Sequence, residues 1–109
     1  MPFSIEITEV ADAHLRGLPV REQRILESAI TTRLIDQPET PTKAIIKLRP
    51  NPLAQFELRV GDLRVLYNVE GSQVILLVVG RKVRNKLIVE GEEFYGHQDD
   101  PTQPPGKKS

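Results

Sequence analysis

The sequence contains no cysteine and carries no net charge. Without cysteine, a disulfide framework, a thiolate metal site and thiol catalysis are all excluded. The charge vanishes because 15 Lys+Arg residues balance 15 Asp+Glu residues. No global field therefore draws the protein towards nucleic acid or a membrane. Any electrostatic function requires charge that is segregated on one part of the surface.

Long apolar runs are also missing, and none approaches the roughly 20 residues that a membrane-spanning helix needs. The N-terminal stretch MPFSIEITEV has neither the basic start nor the apolar centre of a secretory signal. A chain of 109 residues suits one domain with a single modest core. We therefore expect a cytoplasmic protein with no membrane attachment.

The first third of the chain predicts one strand followed by two helices. Residues 3–7 alternate between apolar and polar side chains, which is typical of a half-buried strand. Residues 10–18 favour a short helix, and Pro19 suits the first turn of a longer one. The longer helix carries one apolar stripe, made of Leu18, Ile25, Leu26, Ala29, Ile30 and Leu34. Pro38 and Pro41 break the pattern after it.

The second half predicts an antiparallel sheet. Strands are expected at residues 44–48, 56–60, 63–69 and 74–80, with Gly61-Asp62 and Gly71-Ser72 as two-residue turns. The stretch VILLVVG is apolar on both faces, so we expect it at the centre of the sheet or covered on both sides. The order of elements predicts an α+β domain over residues 1–97, in which a two-helix hairpin packs on one face of a β-meander. Residues 98–109, with three prolines and no apolar residue, predict a disordered tail.

The hairpin LRVGDLRVLY, at residues 58–67, places two arginines face to face. A two-residue turn at Gly61-Asp62 pairs Val60 with Leu63 and Arg59 with Arg64. Side chains directly opposite on one face lie about 5 Å apart, and like charges there are destabilising. Such a pair invites an anionic partner.

Carrying the register across the next hairpin predicts a larger basic patch. A two-residue turn at Gly71-Ser72 pairs Arg64 with Val79 and places Arg81 opposite Asp62, on the face of Arg59 and Arg64. Lys82, Arg84 and Lys86 follow just beyond. The planar fork of arginine suits phosphate oxygens. The alternative is a solvated face, partly neutralised by Glu57 and Asp62, and periodicity alone favours this alternative.

Residues 56–81, FELRVGDLRVLYNVEGSQVILLVVGR, resemble the central motif of the RelE/ParE superfamily of toxins from type II toxin–antitoxin modules. The likeness lies in the RVGDxRVxY core, in the apolar strand after a short glycine turn, and in the basic run after Val79-Gly80. The order of one strand, two helices and a sheet also agrees. The resemblance covers roughly residues 3–90 and implies the corresponding fold.

In the RelE branch, the resemblance implies a ribosome-dependent endoribonuclease that cuts mRNA by attack of a 2′-hydroxyl on the adjacent phosphate, without metal or cofactor. Arg64 matches the arginine that these enzymes place on the scissile phosphate. Arg59 matches a strand position that is often basic, and Arg81, Lys82 or Arg84 would supply a C-terminal basic group. The implied catalytic set is Arg59, Arg64, Arg81 and Lys82, and the implied RNA-binding set adds Arg84 and Lys86.

The chain departs from the nuclease pattern in its proton-transfer groups and charge. Where tyrosine or histidine commonly follows the basic residues, this chain has NKLIV at residues 85–89, and the later candidates are Tyr95 and His97. Glu57 stands where a basic residue is expected, and is a candidate base instead. The ParE branch implies a second class, inhibition of DNA gyrase without proton transfer. A third is an inactive relative that only binds an antitoxin.

Every branch implies a cognate antitoxin as a partner. The RelE branch adds the ribosome and mRNA, and the ParE branch adds DNA gyrase instead. The helical hairpin and an open sheet edge, at residues 44–48 or at the N-terminal strand, are the expected docking sites.

Three further residues have structural interpretations. His14 is expected at the surface or in helix packing, Tyr67 in the core, and Gly80 at a bulge or strand exit.

Overall fold

The computed structural model describes residues 2–94. Its elements are β1 (Ser4–Ile7), α1 (Glu9–Arg16), α2 (Val20–Leu34), β2 (Ile45–Lys47), β3 (Phe56–Val60), β4 (Leu63–Glu70), β5 (Gln73–Val83), β6 (Lys86–Val89) and β7 (Glu92–Glu93). The predicted tail at residues 98–109, with Tyr95 and His97, lies outside the described residues. Within residues 2–94, no helix is long and apolar enough to cross a membrane.

The strands form one sheet in which β5 is central. The order β2-β3-β4-β5-β6-β7 is antiparallel throughout, and β1 joins β5 in parallel. Because β5 is eleven residues long, β1 pairs with its first half and β6 with its last three residues. The predicted α+β architecture is confirmed, including the central position of VILLVVG.

Both helices pack on one face of the sheet, which we call the helix face. Thr8 caps α1 by accepting a hydrogen bond from the Ala11 amide (3.1 Å), and its hydroxyl donates to the carbonyl oxygen of Leu76 (3.0 Å). The start of α1 is thereby tied to β5. Pro19 precedes the first residue of α2, as its fixed φ predicts. Ile25 is 41% exposed, so its predicted place in the buried stripe is wrong.

The sheet buries apolar side chains on both faces. The helix face carries the larger cluster, in which Leu26, Ile30 and Leu34 of α2 lie against the sheet. The opposite face, which we call the distal face, carries a second cluster made of Ala54, Leu66, Val78, Leu87 and Val89. Leu48, Leu53 and Phe94 pack against this second cluster and cover part of the distal face.

A β-bulge in β5 changes the predicted register. Tyr67 pairs with Leu76, whereas its neighbour Leu66 pairs with Val78, so Leu77 is an extra residue. Every residue of β5 beyond the bulge therefore lies on the opposite face from the one expected. The predicted Arg64–Val79 and Arg81–Asp62 pairs are wrong, because Arg64 pairs with Gly80 and Arg81 pairs with Leu63.

The sheet also extends past residue 80, where the last predicted strand ends. Two hairpins follow, with turns at Arg84-Asn85 (φ 52° and 69°) and Glu90-Gly91 (φ 53° and 84°). Gly80 is inside β5, so its predicted place at a bulge or strand exit is wrong. A Cβ atom at this position would stand 2.6 Å from the Ile88 carbonyl oxygen and 2.9 Å from Val89 Cγ2. Only glycine lets β6 approach β5 this closely.

Candidate anion-binding site on the distal face

The predicted pairing of Arg59 with Arg64 is confirmed. The two residues are direct partners in the β3–β4 ladder, and Gly61 holds the positive φ (58°) that the short turn needs. Both side chains project from the distal face, because their neighbours Leu58 and Val65 belong to the cluster on the helix face. The two arginine side chains are therefore attached at adjacent positions on one surface of the sheet.

Arg64 is held by backbone groups alone. Its Nη1 donates to the carbonyl oxygens of Gly61 (2.8 Å) and Leu63 (2.9 Å), while its Nε is buried and has no hydrogen-bond partner among the described residues. The pKa of Arg64 is lowered from its ordinary value, first by burial, and Arg59 lowers it further. Glu57 and Asp62 act in the opposite direction. Arg64 is thus a desolvated cation with an unused donor.

Arg59, in contrast, is held by a carboxylate. Its Nε donates to Oε1 of Glu57 at 2.9 Å. The Arg59 side chain is 32% exposed, and the Glu57 side chain is completely buried. A buried carboxylate therefore lies beneath the arginine pair. Because Glu57 has no exposed surface and is ion-paired, it is not presented to a ligand as an open base.

Lys82 occupies the place that the sequence assigned to Arg81. Its amide donates to the carbonyl oxygen of Asp62 (2.8 Å), so Lys82 stands opposite the first hairpin turn. It pairs with Leu87, which belongs to the distal cluster, and this register puts Lys82 on the distal face. Arg59, Arg64 and Lys82 together form the basic cluster.

Arg81 lies on the other face and is already paired. It meets the carboxylate of Glu22 on α2 through both terminal nitrogens, in the bidentate arrangement that guanidinium groups favour. This hydrogen bond is the main reason that the pKa of Arg81 is raised and that of Glu22 is lowered. The structure does not bring Arg81 together with Arg59 and Arg64.

Arg84 and Lys86 are also separate from the basic cluster. Arg84 lies in the exposed β5–β6 turn. Lys86 pairs with Val83 in the ladder, and its Nζ lies 3.7 Å from Oε1 of Glu93. By the alternation of β6, Lys86 faces away from the side that carries Leu87.

The proton-transfer residues of the described chain lie away from the basic cluster. Tyr67, whose predicted place in the core is confirmed, is completely buried on the helix face and donates to the Pro38 carbonyl oxygen at 2.6 Å. Burial raises the pKa of its phenol well above the usual range. His14, on α1, accepts a hydrogen bond at Nδ1 from the Val79 amide (3.2 Å). Residues 2–94 hold no other tyrosine or histidine.

Two surface grooves flank the sheet on the side of the helices. One, of about 400 Å³, separates α2 from the β3–β4 hairpin, and Ile25, Ala29 and Val60 supply its apolar lining beside Arg33. The other, of about 460 Å³, lies between the α1–α2 turn and β6, next to His14 and Gly80. Metal ligands do not converge in either, since residues 2–94 contain no group of three or more His, Cys, Asp or Glu suited to an ion.

A likeness to a known protein comes from the comparison with solved structures. No family model and no curated protein matches the chain. The fold is similar to that of a chain in the crystal structure of the toxin–antitoxin complex RelBE2 from Mycobacterium tuberculosis, with a TM-score of 0.65 and 24% sequence identity. The match covers 75% of the present chain and 100% of the other. At this identity the likeness establishes the fold.

Proposed function

We propose that the protein is the toxin component of a type II toxin–antitoxin pair and acts in the cytoplasm as a RelE-like, metal-independent and ribosome-dependent mRNA endoribonuclease. The observation that carries the proposal is the Arg59–Arg64 pair, in which the buried Nε of Arg64 has no partner. The fold shared with a chain of the RelBE2 complex supports the assignment to toxin–antitoxin systems.

The chemistry that suits this site is attack of an RNA 2′-hydroxyl on the adjacent phosphate. The bond from phosphorus to the 2′-oxygen forms while the bond to the 5′-oxygen breaks, and negative charge builds up on the phosphoryl oxygens. The 2′-hydroxyl gives its proton to water and the leaving 5′-oxygen takes one from water, because Tyr67 and His14 are bonded away from the cluster. Preorganised cations aimed at that charge accelerate such a step more than they strengthen ground-state binding. Arg64 is the group placed for this role, because its half-buried guanidinium is held by the carbonyl oxygens of Gly61 and Leu63, and a phosphoryl oxygen at its terminal nitrogens would supply a counter-charge.

Arg59 and Lys82 are proposed to orient the RNA on either side of Arg64. In a β-ladder, a direct partner such as Arg59 and a diagonal neighbour such as Lys82 stand roughly 5–8 Å away, a span that successive contacts along a nucleic-acid backbone can bridge. Arg81 has no part in this arrangement, because its fork is taken by Glu22.

A ParE-like gyrase inhibitor is the second candidate. It is favoured by the position of Tyr67 and His14, both of which are bonded away from the basic cluster. Binding to a protein target needs complementary charge and no proton transfer. An inactive relative that only binds an antitoxin is the third outcome that the experiments below distinguish.

The partner proposed under all three candidates is a cognate antitoxin. The groove between α2 and the β3–β4 hairpin offers it an apolar floor with a basic rim, and β2 offers the edge of the sheet. Hydrogen exchange with and without antitoxin tests the second site. Protection of residues 44–48 or of β1 supports strand addition, and unchanged exchange in both segments contradicts it.

The function is tested by induced expression combined with primer extension on mRNA from an in vitro translation reaction. We expect growth arrest and cuts at the ribosomal A site from the wild type, and neither from Arg64→Ala. Arg21→Ala is the matched control, because it removes an exposed arginine from α2, and it should behave like the wild type. Arrest with intact mRNA supports gyrase as the target. No arrest contradicts both toxic functions.

A further inference from the structure

We propose that Glu57 is a positioning residue, a buried counter-ion that orients Arg59 and allows the two arginines to stand directly opposite each other. The role is inferred from burial and contact, because the Glu57 side chain is completely buried and its Oε1 accepts from Nε of Arg59 at 2.9 Å. The inference rests on the proposed nuclease for its turnover readout, and has a separate readout in RNA binding.

The position of Glu57 along the strand explains the contact. Residues i and i+2 of a strand share one face, so the side chains of Glu57 and Arg59 are neighbours on the distal face. Glu57 is itself opposite Leu66 on one side and Ile46 on the other, both apolar. The carboxylate is therefore enclosed between strands, and the guanidinium above it closes the site.

The charges of the cluster show why a carboxylate is needed there. Arg59 disfavours the charged form of Arg64, and Glu57 favours it. Burial of an unpaired charge is costly, and a carboxylate with a good hydrogen bond reduces that cost. Glu57 therefore offsets the repulsion between the two arginines. Its pairing with Arg59 partly offsets the repulsion that its negative charge exerts on a phosphate.

This role predicts opposite effects on binding and turnover. Glu57→Gln removes one negative charge from the site, so RNA should bind more tightly and with a steeper salt dependence, by up to about 0.7 in the slope of log K against log salt. The same change loosens Arg59, and misplacement of a positioning group lowers turnover on the order of tenfold to a hundredfold. A merely structural residue would weaken both together.

The experiment measures kcat and KM for mRNA cleavage on ribosomes, and the affinity of a short fluorescein-labelled single-stranded RNA over a range of salt. The variants are Glu57→Gln, Arg59→Lys and the double variant. Arg59→Lys keeps the charge, leaves the buried position untouched and removes the fixed Nε contact. Glu6→Gln is the matched control, because Glu6 is an exposed acid on β1.

We expect Glu57→Gln and Arg59→Lys each to lower kcat, and the double variant to fall no further than the worse single one. Glu57→Gln should steepen the salt dependence, alone or in the double variant, whereas Arg59→Lys should not, and Glu6→Gln should match the wild type. Additive losses of kcat, or weaker RNA binding by Glu57→Gln, overturn the role assigned to Glu57.

A wild type that binds RNA but does not cleave it contradicts the proposed nuclease. The role of Glu57 is then tested by the binding data alone. A steeper salt slope for Glu57→Gln supports that role, and an unchanged slope overturns it. A wild type that does not bind RNA overturns both proposals.

Discussion

Arg81 on the helix face and Arg64 on the distal face are held in opposite ways. Arg81 bonds both oxygens of Glu22, and the pKa of Arg81 is raised. Among the described residues, Arg64 donates to two carbonyl oxygens, its buried Nε has no partner, and its pKa is lowered by burial. Arg59, also on the distal face, is paired with Glu57, so Arg64 is the arginine of this pair that has no direct bond to a carboxylate.

The difference shows which of the two can bind an anion. An arginine whose fork is filled by a carboxylate gains little from a phosphate, since the new contact only replaces the old one. An arginine that is desolvated and incompletely bonded gains both an acceptor and a counter-charge. We therefore propose that function belongs with the less satisfied arginine. Stability belongs with the more satisfied one.

The largest expected effect on stability is at Gly80, where β6 approaches β5 closely because this residue has no side chain. Gly80→Ala places a Cβ atom 2.6 Å from the Ile88 carbonyl oxygen, which is backbone and cannot rotate away. We expect a loss of about 1–3 kcal/mol in the free energy of unfolding, as for overpacked cores. Urea unfolding followed by circular dichroism measures it.

Gly17→Ala is the control for this change, since a Cβ atom there would meet the His14 carbonyl oxygen at 3.4 Å, close to ordinary contact. It should alter the free energy of unfolding by no more than about 0.5 kcal/mol. Equal losses in the two variants would mean that β6 does not approach β5 as closely as described.

Gly80 lies near the point where prediction from sequence ends. The turns at Gly61 and Gly71, the Arg59–Arg64 pair and the order of elements follow from local signals, namely glycine in short turns and alternation along strands. The bulge at Leu77 has no such signal, because it sits within the uniformly apolar stretch VILLVVG, where a slip by one residue places equally apolar side chains on either face.

That one residue decides the composition of the candidate site. Without the bulge, Arg81 would join Arg59 and Arg64; with it, Lys82 does so. The partner of Arg81 was equally hidden, because Glu22 is 59 positions away and pairing across elements leaves no local pattern. The burial of Glu57 was missed for the same reason. Charge in a sequence favours exposure, and only the three-dimensional packing shows an exception.

Tyr67→Phe tests whether the helix face depends on satisfied polar groups. The phenol donates to the Pro38 carbonyl oxygen at 2.6 Å in a completely buried setting, so its removal leaves an acceptor without a partner. We expect a loss of about 1 kcal/mol in the free energy of unfolding. Because burial raises the phenol's pKa, the wild type should also lose stability as the pH rises above about 10, and Tyr67→Phe should not.

Equal stability of Tyr67→Phe and the wild type at neutral pH would show that this hydrogen bond contributes nothing net. RNA binding serves as the control measurement in that case. The hydroxyl lies on the opposite face from Arg64, so affinity should not change.

Replacement of each arginine by methionine, which keeps the length of the side chain, compares the two faces directly. Arg81→Met breaks the pair with Glu22 and should lower the thermal midpoint, by less than Tyr67→Phe does because solvent screens a partly exposed ion pair. Arg64→Met removes a buried donor without a partner and should leave the midpoint unchanged or raise it. A larger loss from Arg64→Met than from Arg81→Met would reverse the comparison.

The smallest effect expected is the acid dependence that Glu22 contributes on the helix face. The hydrogen bond from Arg81 lowers the pKa of Glu22 below its ordinary value of 4.5, so its contribution to stability is present above that pH and is lost as the pH falls through the folded-state value. Urea unfolding from neutral pH down to about pH 3.5 should show a shallower decline for Glu22→Gln than for the wild type. Glu6→Gln, which removes an exposed acid from β1, should decline as the wild type does.

The arginines of the distal face keep their charge over this whole range. Acid should therefore weaken the contact between Arg81 and Glu22 on α2 while Arg59 and Arg64 stay charged. An RNA affinity that falls together with the loss of the Glu22 contribution would contradict the separation of the two faces.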